Sequence, residues 1–423
     1  MSFRGPSIIK INGGLGQQAP SDRNVAGLII ASGYAVATTF PLGATVKLDS
    51  IEEAEALGLS ASTDANAADD TAALTWYHID EFFRLNPDGT LYVHNGNAVA
   101  PANIFAANGP ADQIMSASSN SVRFMGVVFG FDPDATITVA GGFANYVPTV
   151  QAAAQAWAEA REAAHVFVDT IVVEGVAAST TLVDLKALES PYVHITVACD
   201  HGYLEEYPAA FLGSAAVGTV LGSIGVRLLS ESIGSAVLER YPSTRRGAAN
   251  YSLVDARRNR WVKPGLSTGQ LFDVLAQSVR DDLTDKAYGY VGRFEGYPGV
   301  YFNGDATCTT SVDDFNTIHT NRVWDECARR VRRALIPRIN SRLRIDPVSG
   351  RIAPSTIADW DAACKRELEQ LLAEGEITDF TFTLDPEQDV IATGKVSCGI
   401  RVVPQSIAKA IEAELGFTNP AQA

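Results

Sequence analysis

The sequence contains no uninterrupted apolar run long enough to cross a membrane. Its most apolar window, residues 209–229, is broken by four glycines, and a transmembrane helix needs about 20 consecutive apolar residues. This window therefore predicts a buried helix within a folded domain. Residues 1–6 also lack the apolar stretch of a signal peptide. We expect a chain with no membrane insertion.

Cysteine is sparse and never paired closely along the chain. The five cysteines are scattered and form no C-x-x-C motif. This pattern argues against a disulfide framework and against a structural zinc site. We therefore expect the chain to fold in a reducing cytoplasm, without metal.

Basic residues are also fewer than acidic residues. The chain has 33 Lys and Arg against 49 Asp and Glu, a formal net charge of −16. Nucleic-acid binding is dominated by neutralisation of phosphates with basic side chains. The composition therefore disfavours a general nucleic-acid partner.

The sequence carries none of the common nucleophile, metalloprotease or P-loop motifs. The segment Asn12–Gly16 contains a G-G-L-G run but lacks the spacing of a dinucleotide loop, so we predict no cofactor. One alternative is an enzyme in which His201 acts as a general base, oriented by Asp200 or Asp169. Such a site would belong to an α/β hydrolase or dehydrogenase.

The middle of the chain alternates between strand and helix patterns. From residue 110 to residue 223, apolar strand-like runs alternate with helical segments, which predicts an open, mainly parallel sheet covered by helices. We predict a further helix at Thr268–Asp282 and a hairpin from Tyr290–Phe294 to Val300–Phe302. The fold class predicted for the whole chain is α/β, with an α+β multidomain organisation.

The most sharply patterned segment is Asp313–Asp379. Helical periodicity predicts a long helix from Asp314 to about Ile345 and a second helix from about Ser355 to Glu374. Strand alternation follows at Ile377–Leu384. A closing strand is predicted at Thr393–Val403.

The first of these helices is rich in arginine within an acidic protein. Residues 322–351 contain nine arginines against three acidic residues. Arginine forms planar, multi-donor contacts with carboxylates and phosphates. We therefore predict that this helix faces an acidic partner. The predicted contact residues are Arg322, Arg329, Arg330, Arg332, Arg333 and Arg338.

Both ends of the chain carry strand-like segments with no partner nearby in sequence. The N-terminal run consists of Ser7, Ile8, Ile9, Lys10 and Ile11. A single strand cannot bury itself, and the glycines that follow can adopt the φ values of a hinge. These hinge glycines are Gly13, Gly14 and Gly16.

The C-terminal segment 404–418 fits two patterns. Its apolar residues at positions 407, 411 and 415 match a helix stripe, but they also share one side of a strand with the aromatic residue at 417. Periodicity alone leaves helix and strand open. The residues concerned are Ile407, Ile411, Leu415 and Phe417.

These patterns together resemble the contractile tail sheath proteins of bacteriophages and related injection systems. The resemblance rests on Asp313–Arg322 with the helix that follows, on Leu371–Phe380, and on the closing strand with Ile407 onward. Shorter similarities lie in three further segments. They are Gly13–Gly16, Trp76–Phe83 and Val217–Gly222.

The resemblance implies rings of six subunits stacked around an inner tube, which the sheath drives through a target envelope when it contracts. It implies an arm with a glycine hinge at 1–20, a sheath segment at 21–109 and an outward-facing α/β domain at 110–305. A tube-proximal α/β domain would be built from the C-terminal part, 306–403, plus an N-terminal segment, and a second arm would occupy 404–423. The arms would add strands to neighbouring copies, which favours a strand in the C-terminal arm, and the arginines would face the tube.

The implied partners are neighbouring copies of the chain, the inner tube protein, and baseplate and terminator or cap proteins. The implied location is a phage tail or an injection-system particle assembled in the bacterial cytoplasm. A non-contractile tail or baseplate component that shares the domain is a further alternative, beside the enzyme centred on Asp200 and His201.

Overall fold

The structure is a computed structural model that describes residues 23–31, 39–61, 67–96, 99–129, 139–140, 143–144, 146–176, 182–205, 213–236, 251–347, 350–409, 411 and 413. Within these ranges the chain forms strands and α-helices that alternate along much of its length. The strands are β1 (Val25–Ile30), β2 (Thr45–Leu48), β3 (Thr90–Asn95), β4 (Phe124–Val128), β5 (Val139–Ala140), β6 (Phe143–Ala144), β7 (Thr170–Glu174), β8 (Val193–Thr196), β9 (Ala198–Asp200), β10 (Pro264–Leu266), β11 (Val291–Gly292), β12 (Tyr301–Phe302), β13 (Ile377–Leu384) and β14 (Cys398–Pro404). The helices are α1 (Ile51–Ala56), α2 (Ala67–Leu85), α3 (Pro110–Ala117), α4 (Val147–Ala163), α5 (His201–Leu204), α6 (Val217–Val226), α7 (Gln277–Asp285), α8 (Ile318–Leu335), α9 (Pro354–Glu374) and α10 (Val390–Thr393).

A six-stranded sheet forms the centre of the larger part of the chain. Its order is β2-β3-β1-β4-β7-β8, and every neighbouring pair is parallel except the edge pair β2–β3. The predicted α/β class with a mainly parallel sheet is therefore confirmed. Strands from the predicted segments 21–109 and 110–305 both enter this sheet, so the boundary predicted at residue 109 falls inside one structural unit.

The sheet is buried on both faces because its central strands β1, β4 and β7 are mainly apolar. In β1, Leu28 and Ile30 point into a core that also contains apolar residues of α2 and α6. Val25 and Ile29 point into a second core, which is shared with α3 and α4. Burial on both sides is typical of parallel sheets covered by crossover helices. We call this three-layer unit the sheet body.

The C-terminal part forms a smaller unit of two helices and a hairpin. Helix α8 packs against α9, and α9 packs against β13. Strands β13 and β14 pair antiparallel, with Ile377 opposite Pro404 and Leu384 opposite Cys398. A small apolar core joins the helices to the hairpin. We call residues 318–404 the C-terminal lobe.

The prediction of one long helix from Asp314 to about Ile345 was wrong at both ends. Helix α8 begins at Ile318 and ends at Leu335, and a single 3₁₀ turn follows at Ile336–Arg338. Pro337 explains the early end, because proline lacks a backbone N–H and its ring clashes with the carbonyl four residues earlier. The expected second helix and the strand Ile377–Leu384 are confirmed. The closing strand is also present, but it begins at Cys398 rather than Thr393, because residues 390–393 form the short helix α10.

The helix predicted at Thr268–Asp282 was also wrong in its first half. Gly269 has a φ of +85°, and Leu271 and Leu275 are extended around a short 3₁₀ turn. A left-handed residue cannot continue a right-handed helix. The apolar residues there pack as an irregular segment, and the helix α7 begins only at Gln277. The aromatic hairpin was predicted correctly, since β11 pairs with β12.

Residues 217–226 of the glycine-rich window form the buried helix α6, as predicted for that window, and residues 209–212 lie outside the described residues. The glycines allow α6 to lie directly on α2. A Cβ atom added to Gly218 would lie 2.1 Å from the carbonyl oxygen of His78, and one added to Gly222 would lie 2.9 Å from that of Phe82. The close approach of two backbones therefore depends on the absence of side chains at these positions.

We predict that Gly218→Ala destabilises the protein by about 1–3 kcal/mol, because the added methyl group overpacks a rigid backbone contact. The measurement is the free energy of unfolding in urea. Gly213→Ala is the matched control, since its Cβ would have no neighbour closer than 3.9 Å. Equal stability of the two variants would contradict the close packing of α2 and α6.

Candidate functional site

Three of the predicted contact arginines lie inside the protein. Arg322 is only 2% exposed, and its guanidinium donates hydrogen bonds to the carbonyl oxygens of Leu228 at 2.9 Å and Arg227 at 3.4 Å. Arg329 and Arg330 have side chains that are also mostly covered. These arginines lie on the face of α8 that packs against the rest of the chain.

Arg329 joins the C-terminal lobe to the sheet body. Its guanidinium forms an ion pair and hydrogen bond with Asp169, the residue directly before β7. It also donates to the Phe167 carbonyl at 3.0 Å and lies 3.8 Å from Asp325 and 3.5 Å from Glu326. One side chain therefore binds two carboxylates of its own helix and two groups of the sheet body.

Arg330 and Arg23 complete the network. Arg330 donates to Glu326 at 2.9 Å and lies 3.7 Å from Glu374 at the end of α9. Arg23, just before β1, donates to Glu374 at 2.7 Å and lies 3.7 Å from both Glu326 and Glu376. We call the whole cluster the ionic junction. Its members are Arg23, Asp169, Arg322, Asp325, Glu326, Arg329, Arg330, Glu374 and Glu376.

Two carboxyl groups meet at the centre of the ionic junction. The side chains of Asp169 and Asp325 hydrogen-bond to each other, and both residues are almost fully buried. Burial raises the pKa of Asp169 to about 7, although Arg123 and Arg322 oppose the shift. Burial and the neighbouring Asp169 raise the pKa of Asp325 well above its usual range. Of the two carboxyl groups, Asp325 therefore holds the shared proton.

The other three predicted arginines lie nearer the surface. Arg338 is partly covered, and it donates to the Ala334 carbonyl at 2.7 Å and to the Asp359 carboxylate at 3.2 Å. Arg332 and Arg333 are exposed. Helical spacing places Arg332 on the same side as Trp324 and Ile336.

Large apolar side chains accompany these exposed arginines. Trp324 is 40% exposed, Ile336 49% and Ile339 66%. The Trp324 ring makes edge contacts with Phe167 and Phe315. Interfaces are enriched in aromatic residues and arginine relative to other surfaces. We call this surface the outer face of α8, defined by Trp324, Arg332, Arg333, Ile336 and Ile339.

The hairpin β13–β14 has unpaired outer edges. Within the described residues neither strand pairs with a third strand. Its inner face, which includes Phe380 and Val402, packs against the lobe only in part. Its outer face is mainly polar and includes Thr381 and Arg401. A two-stranded hairpin of this kind offers free backbone donors and acceptors for strand addition.

Most of the predicted arm residues lie outside the described part of the chain. These are Ser7, Ile8, Ile9, Lys10, Ile11, the hinge residues Gly13, Gly14 and Gly16, and the C-terminal Leu415 and Phe417. Ile407 is half-buried and Ile411 is exposed. Neither residue belongs to a helix or a strand.

The Asp200–His201 pair is occupied by structural contacts. His201 is buried, and its Nε2 lies 3.0 Å from the carbonyl oxygen of Leu266. One oxygen of Asp200 accepts hydrogen bonds from the backbone N–H groups of Trp261 and Tyr203. Asp169, the other proposed partner of His201, is bound to Arg329 instead.

No group of three or more His, Cys, Asp or Glu side chains among the described residues is arranged to hold a metal ion. No helix in the described ranges combines the length and the apolar character that a membrane span needs.

Sequence reasoning missed the acidic half of the ionic junction. It considered Asp169 only as a partner for His201, and it did not assign Arg23, Glu374 or Glu376 to any site. One signal was available: Asp169 interrupts the apolar run 166–173. A charge inside a buried strand region must find a partner. The distant position of that partner in the chain hid the pairing.

Comparison with known proteins supports the resemblance predicted from the sequence. The family described as DUF2586, C-terminal domain, matches residues 314–422. No curated protein matches the chain in sequence.

The structural matches cover nearly the whole chain. The anti-feeding prophage (AFP) baseplate matches with a TM-score of 0.60 at 14% identity, over 99% of this chain and 100% of the other. The AFP helical sheath in its contracted state matches at 0.59 with 14% identity and the same coverage. The contracted sheath complex of the extracellular contractile injection system PVC matches at 0.50 with 11% identity, over 100% and 99%. The chain therefore has the fold of contractile sheath proteins.

We predict that Asp325→Asn reduces the pH dependence of stability. The folded state keeps a proton on the carboxyl pair that the unfolded chain releases near pH 4. The stabilisation is therefore complete below about pH 4 and is lost progressively as the pH rises above that range, because burial and Asp169 hold the pKa of Asp325 well above its usual value. Asparagine donates its amide hydrogen at every pH. Between pH 5 and pH 8 the free energy of unfolding should therefore fall by about 1–3 kcal/mol less in the variant than in the wild type.

The measurement is the free energy of unfolding at several pH values. Asp361→Asn is the control, since Asp361 pairs with Lys365 on the surface of α9. A pH dependence in Asp325→Asn equal to that of the wild type would contradict the shared proton.

Proposed function

We propose that the chain is a structural subunit of a contractile tail sheath, which stacks as rings around an inner tube and drives that tube through a target envelope when it contracts. The observation that carries this proposal is the fold match along the full chain to AFP and PVC sheath structures in the contracted state. The sheath particle would belong to a phage tail or an injection system, assembled in the bacterial cytoplasm. Baseplate and terminator or cap proteins would bind its ends.

Within this proposal the C-terminal lobe lies next to the tube and the sheet body faces outward. The ionic junction supports movement of the two parts together, because it joins them through buried ion pairs. Breaking a buried ion pair by removing one partner costs about 3–5 kcal/mol. Each subunit would therefore move as a near-rigid body during contraction.

The link between subunits would be strand addition at the β13–β14 hairpin. Within the described residues neither strand pairs with a third strand, so each edge can accept an added strand. The donors would be Ser7–Ile11 and a segment that begins near Ile407, with Gly13, Gly14 and Gly16 as hinge. Main-chain hydrogen bonds of this kind connect copies without requiring either subunit to refold.

The contact with the tube would be made by the outer face of α8. Arg322, Arg329 and Arg330 are bound within the chain, and Arg338 is partly engaged, so Arg332 and Arg333 are the members of the predicted set best exposed to a partner. Trp324 and Ile336 would add apolar contact around the charges. An acidic tube surface would complement this face.

A non-enzymatic role agrees with the contacts of Asp200 and His201. Both side chains are buried and bonded to backbone groups, so neither is available to a substrate in this conformation. A general base must reach the proton that it removes.

A baseplate component is the second candidate function. The AFP baseplate structure matches the chain with a TM-score as high as that of the contracted AFP sheath. A sheath subunit forms long helical polymers, whereas a baseplate component forms a closed ring of limited size.

Electron microscopy of the purified, overexpressed chain distinguishes these functions. We expect hollow tubes with six subunits per ring, because subunits with two arms and an open hairpin can propagate without limit. Single closed rings would favour the baseplate alternative. A monodisperse monomer would contradict both structural roles.

We predict that the double reversal Arg332→Glu and Arg333→Glu prevents assembly of the chain on its tube. The reversal changes the charge of an exposed face by four units. The free energy of unfolding should change by no more than about 0.5 kcal/mol, as is usual for surface substitutions. The measurement is the fraction of sheathed particles in electron micrographs after co-expression with the tube protein.

The matched control is Lys365→Glu with Arg366→Glu, an adjacent basic pair exposed on α9. This control should still assemble on the tube. Straight, fully sheathed particles from the Arg332 and Arg333 variant would contradict the proposed tube contact.

A further inference from the structure

Residues 255–261 form a loop that inserts two large side chains into the sheet body. The loop is closed on itself, because the backbones of Asp255 and Arg260 exchange hydrogen bonds of 3.0 and 2.9 Å. Arg260 is 2% exposed and Trp261 is fully buried, whereas Arg257 and Arg258 remain on the surface. We call residues 255–261 the latch loop.

The two inserted side chains bind α2 and α5. The Arg260 guanidinium donates to the Asp80 carboxylate at 2.6 Å and lies over the Tyr203 ring, 3.5 Å from its centroid. The Trp261 indole N–H donates to Glu81 at 2.9 Å. Buried polar contacts of this kind are sensitive to the charges around them. The position of the latch loop therefore depends on the protonation of its neighbours.

Asp200 binds the latch loop at a residue with an unusual backbone conformation. Trp261 has a φ of +55°, which is rare for a bulky residue and persists only where the surroundings enforce it. The backbone N–H of Trp261 donates to Oδ1 of Asp200 at 2.9 Å. The same oxygen accepts the backbone N–H of Tyr203 at 3.4 Å. Asp200, at the end of β9, therefore connects the latch loop to the sheet body.

The second carboxyl oxygen of Asp200 has different surroundings. Oδ2 is buried and has no hydrogen-bond partner among the described residues. A buried charge is strongly unfavourable unless it is paired and hydrogen-bonded. A proton on Oδ2 removes the charge and leaves the hydrogen bonds to Oδ1 in place. The geometry therefore favours a neutral Asp200 while the latch loop is closed.

The groups that face Asp200 also favour its neutral form. Burial and the charge of Glu81 raise the pKa of Asp200 to about 7, although the Trp261 N–H opposes the shift. Burial acts against ionisation of Glu81, but Arg84 and Arg260 hold its pKa at about 2, so its charge persists beside Asp200. The titratable groups that face Asp200 are Tyr77 and Glu81 from α2, Arg260 from the latch loop, and Cys199 from β9.

We propose that Asp200 is a pH-sensitive latch: its protonated form holds the latch loop closed against α2, and loss of the proton at higher pH releases the loop. Release would move the exposed Arg257 and Arg258 relative to α2, so the charge on this part of the surface would change with pH. The latch belongs to the single subunit and does not depend on the proposed assembly.

The direction of the pH dependence follows from the two states of Asp200. An exposed aspartate has a pKa near 4, whereas closure of the latch loop raises the pKa of Asp200 to about 7. The stabilisation of the closed loop is therefore complete below about pH 4 and is lost as the pH rises through about 7. Between pH 6 and pH 8 the equilibrium constant for opening should rise about tenfold.

The experiment measures hydrogen exchange in the unassembled subunit at pH 6 and pH 8, with each rate divided by the intrinsic rate of that amide at the same pH. We expect the protection of the Trp261 amide to fall about tenfold in the wild type, because this N–H is bound to Asp200. Asp200→Asn should keep its protection within about twofold, since asparagine retains an acceptor oxygen and carries no charge at either pH.

Two variants serve as controls. Asp184→Asn is the matched control, since Asp184 accepts the backbone N–H of Lys186 at 3.1 Å but is exposed. Asp80→Asn tests the other buried carboxyl group of the network, whose pKa is raised by burial although Arg260 opposes the shift. Both variants should keep the fall in protection at Trp261.

Constant protection of the Trp261 amide in the wild type would overturn the proposal. A fall of wild-type size in Asp200→Asn would also overturn it, as would loss of the fall in Asp80→Asn. If Asp200→Asn does not fold, the wild type and Asp80→Asn decide the question. A fall that persists in both then supports the latch, and its absence from either overturns it.

Discussion

Burial of arginine on α8 is the constraint on which the two parts of the molecule depend. A buried guanidinium without a partner is strongly unfavourable, so Arg322, Arg329 and Arg330 require carbonyl oxygens and carboxylates around them. Those groups come from the sheet body through Asp169, from α9 through Glu374 and from the turn before β13 through Glu376. The ionic junction therefore decides where the C-terminal lobe lies against the sheet, and a pure apolar contact would fix that orientation less specifically.

A polymer that contracts requires subunits that are rigid and that expose strand edges for contact with their neighbours. The ionic junction joins the sheet body to the lobe, and the surfaces that we propose for assembly are the hairpin edges and the outer face of α8. Strand addition and a charged face differ in their sensitivity to salt, because main-chain hydrogen bonds between strands carry no net charge. Links between subunits could therefore persist while the contact with a tube is broken.

The sequence predicted the local elements better than it predicted the environment of the arginines. Periodicity identified α9, β13 and the parallel sheet, because these segments have apolar patterns that one sequence window contains. Periodicity predicted that α8 continues past Pro337, and it missed the break at Gly269. Apolar residues keep a helical spacing on both sides of each of these positions, so the pattern did not show either break. The pairing of Arg329 with Asp169 was invisible, because 160 residues separate the two in the chain. Charge density alone therefore predicted acidic partners for these arginines but could not distinguish an internal partner from an external one.

This distinction changes the expected strength of any contact with a tube. If all six arginines faced outward, a sheath would bind its tube by dense charge pairing and would release it with difficulty. With three of them bound inside the chain, the outer face of α8 has two well-exposed arginines among apolar side chains. Exposed ion pairs contribute about 0.2–1 kcal/mol each, so such a contact is weak for one subunit and becomes substantial only through repetition along the tube. A weak, repeated contact holds an ordered lattice and can still be released one ring after another, which agrees with the mechanism proposed for contraction.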